Sequence, residues 1–173
     1  VKVDRIGVDE FRSLLREGKI DAAWMGGRAG RAAGRAGARK LARRDHEEEL
    51  HIACFQWVFL SQERYPALRW CFHTPNGGRR TKAQAGRFKA MGVRAGVVDI
   101  LAPFPALGAR GLAVELKRPG ERPTSDQIEF LEQSLQAGFV CGVCFTLEEF
   151  VDRAKAYLGV HRIADSGCNW RSL

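Results

Sequence analysis

No run in this chain is apolar for long enough to cross a bilayer as a helix. Its start lacks the basic-then-apolar pattern of a secretion leader. Both absences predict a cytoplasmic location and no membrane partner. A disulfide framework is missing too: Cys54, Cys71, Cys141, Cys144 and Cys168 are odd in number and irregular in spacing, which fits free thiols in a reducing compartment. No self-similarity appears at a period of about 20–50 residues, so repeat architectures are excluded. Acid is absent from residues 28–44, while Arg28, Arg31, Arg35, Arg39, Lys40, Arg43 and Arg44 stand there. Seven of the eight net positive charges fall in that stretch, so the rest of the chain is almost neutral.

What is present suits one domain with extensions: 173 residues, 45% of them hydrophobic. Residues 1–25 read as a short helical N-terminal segment, with Val8, Phe11, Leu14 and Leu15 on one face and Gly18 as its stop. Residues 26–44 are Gly, Ala and Arg with little else, and read as a linker or a basic arm. Spacings of three and four would align Arg28, Arg31, Arg35, Arg39 and Arg43 on one stripe if the arm became helical against phosphates. The folded domain is predicted over 45–158, and residues 159–173 form a tail without periodicity.

Within the domain, Asp45 caps a helix that carries Leu50, Cys54, Trp57 and Val58 on one face. Glu47 lies on that face, one turn earlier. A strand is expected at Arg69–His73, then a tight turn at Thr74-Pro75-Asn76-Gly77-Gly78-Arg79-Arg80, whose exposed amides and arginines suit a phosphate. Thr81 caps a helix to Met91 bearing Lys82, Arg87 and Lys89, with Gly92 as its stop. His73 is either an acid or base at the strand end or a structural histidine. Thr124 or Ser125 caps a later helix, with Ile128, Leu131 and Leu135 inward. A strand at 139–145 and a helix near 147–158 close the domain. Cys141 and Cys144 have metal-pair spacing, and His161 with Cys168 would complete a zinc site. The apolar run around them instead predicts a buried strand with the two sulfurs on opposite faces.

The most informative pattern is Gly96-Val97-Val98-Asp99-Ile100-Leu101, a Pro- and Gly-bearing gap, then Leu112-Ala113-Val114-Glu115-Leu116-Lys117. Both runs read as strands, paired antiparallel. Alternation puts Glu115 and Lys117 on one face, and pairing brings Asp99 beside them. Carboxylates and a lysine inside apolar strands are costly unless they serve a site. Two hard carboxylates suit Mg²⁺, and a lysine beside them can hold a phosphate. The order of helices and strands predicts an α/β fold, a central mixed β-sheet flanked by helices.

Glu47-x-x-Leu50, His73-x-Pro75-Asn76-Gly77-Gly78-x-Arg80, Gly92-Val93, Gly96-x-x-Asp99-Ile100, Glu115-Leu116-Lys117 and Ser125-x-Gln127 together resemble the VRR-NUC domain of the PD-(D/E)xK superfamily. The resemblance runs over about residues 46–158. It implies a restriction-endonuclease-like fold and a nuclease using Mg²⁺ or Mn²⁺. By resemblance, Asp99, Glu115 and Glu47 hold the metal, Lys117 activates water or steadies the phosphate, and Gln127 is the accessory residue. His73, Asn76, Gly77, Gly78, Arg79, Arg80, Lys82 and Arg87, with Arg35 and Arg39 of the arm, would bind nucleic acid. Val98 stands where the family has proline, a departure that touches local geometry and not chemistry; His51 stands where glutamine is common, so Glu48 is the alternative to Glu47. Stand-alone members resemble phage and bacterial nucleases, some of them homodimers that cut four-way junctions. A DNA endonuclease acting on duplex or branched DNA, as a homodimer in a bacterial or phage-infected cytoplasm, is the expectation. A DNA-binding module without catalysis is the alternative.

Overall fold

The computed structural model describes residues 46–74, 81–160 and Trp170. Outside the described residues lie the N-terminal helix, the arm with Arg35 and Arg39, and the cap Asp45. So do Asn76, Gly77, Gly78, Arg79 and Arg80 of the tight turn, and His161 and Cys168 of the tail.

Helix α1 (His46–Ser61) buries Leu50, Cys54, Trp57 and Val58, the stripe set by their helical spacing. A 3-10 helix follows at Pro66–Trp70, then β1 (Phe72–His73). The strand expected over Arg69–His73 thus shrinks to two residues. Pro66 at the start of the preceding turn has a locked φ and no N–H, and the chain tightens there instead of extending. Helix α2 (Lys82–Ala90) has Thr81 as its cap, with the reciprocal Gln84 bond, and Gly92 at φ 92° just beyond its end.

Strand β2 (Ile100–Ala102) is shorter than the expected Gly96–Leu101. Gly96 turns at φ 83°, and Asp99 sits at a bend before the first paired residue. Strand β3 (Gly111–Leu116), helix α3 (Ser125–Gln136), strand β4 (Phe139–Cys144) and helix α4 (Leu147–Tyr157) complete the order.

The sheet runs β1-β2-β3-β4. The first two pairings are antiparallel, with Ile100 opposite Val114, and β3 pairs β4 in parallel, with Glu115 opposite Val143. A parallel pair needs a crossover, which α3 provides. Helices α1 and α4 cover one face, where Leu112, Val114 and Leu116 point. Helix α3 covers the other, with Leu131 packed among Val98, Ala113, Cys141 and Val143. Each fully buried leucine or valine among them contributes about 1.5–3 kcal/mol. The fold is therefore α/β, a mixed sheet with helices on both faces.

Trp170, from the stretch read as a tail, is buried in the α3-side core. Cys141 belongs to that core and Cys144 to the opposite one, so the pair does not converge on a metal. Burial pushes the Cys144 thiol well up and the Cys71 thiol to about 12. Among the described residues, no helix is long and apolar enough to cross a membrane.

Candidate active site

β3 is the central strand, and every residue of it is buried. A strand buried on both faces is expected to be apolar throughout. Glu115 breaks that rule: its side chain is fully enclosed. Alternation along the strand turns it to the α3 face, opposite to Val114 and Leu116. Its Oε1 accepts from Lys117 Nζ and from Gln127 Nε2. Its Oε2 is buried with no protein partner. Burial, then the neighbouring Asp99 charge, pushes the carboxyl up to about 7, against the pull of Lys117.

Lys117 stands two residues on, just past the strand end. Its N–H donates to the Cys144 carbonyl at 3.0 Å, so the backbone still follows β4 while the side chain folds back to Glu115. Nζ also donates to the Leu116 carbonyl at 3.3 Å. Burial favours the neutral amine, but the bond to Glu115 and the charges of Glu115, Asp99 and Glu47 outweigh it and raise the Lys117 pKa. Lys117 is a fixed cation.

The Ile100–Val114 register carries Asp99 to the level of Glu115. Asp99 Oδ2 accepts the Leu116 N–H at 2.9 Å, so a side chain replaces the next rung of the β2–β3 ladder. Its carbonyl accepts from the Thr74 N–H at 2.9 Å and from His73 Nδ1 at 3.1 Å. The Thr74 hydroxyl donates to the Val98 carbonyl. The aspartate is thereby held from both neighbouring strands.

Gln127 has two roles. Thr124 caps α3 and accepts from the Gln127 N–H, while Gln127 Oε1 accepts from the Thr124 N–H at 2.8 Å. With its oxygen committed to the cap, the amide must present Nε2 to Glu115. The capping box thus orients the site residue. The place of Gln127 in the first turn of α3, close in sequence to Lys117, carries the signal for its position at the site.

Glu47 is half-buried at the start of α1, whereas Glu48 and Glu49 are exposed. Burial raises the Glu47 pKa, Lys117 opposes and Asp99 adds. Glu47 is therefore within electrostatic reach of Asp99 and Lys117. His51, one turn further along the same face, joins the site in the fold. Its ring meets His73 edge-on at 4.1 Å, and its Nε2 is buried with no partner. Burial, then His73, lowers its pKa to about 4, so the ring is neutral at neutral pH. Its i+4 spacing from Glu47 was the available signal.

Among the described residues, no group of three or more His, Cys, Asp or Glu forms a ligand cage. The donor set is instead Asp99 with Glu115, whose enclosed Oε2 lacks a partner. A hard cation that keeps several of its waters needs only one or two carboxylates, so the pair fits Mg²⁺. Of the predicted nucleic-acid contacts, His73 is exposed at the site, Arg87 is exposed on α2, and Lys82 begins that helix.

No family model matches the chain, and no curated protein matches it at a significant level. A solved structure described as a VRR_NUC domain protein superposes with a TM-score of 0.55, at 21% sequence identity, over 72% of this chain and 97% of its own. The two share the restriction-endonuclease-like α/β fold.

Proposed function

We propose that this chain is a divalent-metal-dependent DNA endonuclease that hydrolyses phosphodiester bonds, with branched DNA such as four-way junctions as its substrate. One observation carries the reading: a carboxylate with a bare oxygen, Glu115, is enclosed in the central strand beside Asp99 and tied to Lys117 and Gln127. Buried carboxylate oxygens in structural ion pairs are as a rule hydrogen-bonded, so a bare one points to a missing ligand. The likeness to a VRR_NUC domain protein supports the reading at the level of fold.

Asp99 and Glu115 would hold Mg²⁺ or Mn²⁺, with Glu47 beside them. The ion supplies Lewis acidity and an activated water at neutral pH. Lys117 faces the phosphate and balances the charge that develops on its oxygens. Gln127 fixes the orientation of the Glu115 carboxylate and the Leu116 amide that of Asp99, the two groups that would hold the ion. His73 and the basic residues of α2 receive the DNA backbone. The protein acts as a homodimer in the cytoplasm of a bacterium or phage-infected host, and two sites then place paired nicks. Asp99→Ala and Glu115→Ala should each abolish Mg²⁺-dependent cleavage of a four-way junction and leave DNA binding in place. Full cleavage by either variant, or by wild type in EDTA, sinks the proposal.

The second reading is a DNA-binding module that keeps the fold without catalysis, with Lys117 bound to Glu115 as an ordinary ion pair. Binding without cleavage in Mg²⁺ and in Mn²⁺, on junction, duplex and single-stranded DNA, would select it.

A further inference from the structure

An amphipathic helix ordinarily buries one stripe of its surface. Helix α2 does not. Thr81 and residues 83–95 are exposed without a break, including Phe88, Met91 and Val93. Part of the grouping has a local cause. The Val93 N–H donates to the Phe88 carbonyl and the Gly92 N–H to that of Lys89, a helix end that brings the residues at 88 and 93 to one side. That accounts for the nearness of Phe88 and Val93, not for their exposure. It does not account for Met91, which is 60% exposed. A cleft of about 600 Å³ runs along this ridge, lined by Ala85, Phe88, Gly92, Val93 and Arg94.

The helix is also rooted in the site. Thr74 before it and Val98–Asp99 after it are joined by the Thr74 bonds, so both ends of the excursion meet at the active-site aspartate. On the returning side, Gly96 lies against Asp126 so closely that an added Cβ would strike that side chain, next to Gln127. From Thr81 to Val98 there are four cations, Lys82, Arg87, Lys89 and Arg94, and no acid. A two-fold interface centred on this surface would set the same cations against each other. The complementary partner is a polyanion.

We propose that the ridge Phe88–Met91–Val93, framed by Arg87, Lys89 and Arg94, is a wedge for unpaired bases at a DNA branch point. The cations hold phosphates on either side, and the ridge stacks on a base that continuous duplex would keep paired. This rests on the DNA nuclease reading and names what selects branched substrate.

The test uses the full chain with Ca²⁺ replacing Mg²⁺ and fluorescence anisotropy on a four-way junction and a linear duplex of matched sequence. Phe88→Ala with Met91→Ala should weaken junction binding on the order of tenfold and leave duplex binding unchanged. Arg87→Gln with Lys89→Gln should weaken both. A 2-aminopurine at the branch should change its emission on binding wild type and not on binding the apolar variant. Both variants alter exposed residues, and unchanged circular dichroism and thermal midpoints would show that they fold. Equal loss on both DNAs, or no loss, overturns the wedge. A change in assembly mass caused by the apolar variant assigns the ridge to a second copy and also overturns it. Wild type that binds neither DNA overturns the DNA reading and the wedge together.

Discussion

Glu115 dominates at the scale of the residue. Its carboxyl is raised to about 7 in the fold, against an ordinary value of 4.5. Between those values the native state binds more protons than the unfolded chain, so this group makes stability fall as pH rises. In EDTA, thermal midpoints should therefore decline from about pH 4.5 to about 7 more steeply in wild type than in Glu115→Gln, and the difference should level off above 7. Glu47 shifts in the same direction and remains in both proteins. Mg²⁺ should raise the wild-type midpoint more at pH 8 than at pH 5, because it competes with the proton on Glu115. An equal response at both pH values removes the cation from this carboxylate. The contacts among Glu115, Lys117 and Gln127 were legible from strand alternation and sequence proximity. His51 was not, because a histidine in an apolar helix face signals packing as readily as a site, and only the fold sets it against His73.

At the scale of the element, α3 joins stability to chemistry through its first turn. Thr124→Ala removes the oxygen that accepts the Gln127 N–H and should cost about 1 kcal/mol in denaturant melts. It also loosens Gln127, so Mg²⁺-dependent cleavage should fall while junction affinity holds. Thr124→Ser restores both. A variant that loses stability but keeps full cleavage would show that the cap does not orient the amide. Helices and the β3 strand were legible because long periodic or apolar runs bounded by Thr and Gly leave few alternatives. The short strands were less so. Pro66 diverts the chain before β1, and the Asp99 side chain takes the Leu116 amide where a longer β2 would have paired its backbone.

At the scale of the whole molecule, charge and site are separate in sequence. The arm at 26–44 carries seven cations, and the domain with Asp99 and Glu115 is nearly neutral. Deleting the arm should flatten the salt dependence of DNA binding by several logarithmic units while cleavage at low salt persists. An unchanged slope would reduce the arm to a tether. Trp170 shows the opposite relation between sequence and fold. A lone aromatic in an aperiodic stretch gives no pattern to read, yet it fills the core between α3 and the sheet.

The double use of Gln127 has a consequence for its replacement. Its amide oxygen holds a helix start and its amide nitrogen holds the buried carboxylate. Glutamate in its place keeps the acceptor but sets an anion against Glu115, and alanine forfeits both bonds. Alanine therefore loosens the crossover helix and the site together, whereas glutamate keeps the helix start and loses only the bond to Glu115. A Gln127→Glu change thus separates the two demands, sparing the fold while it disturbs the chemistry.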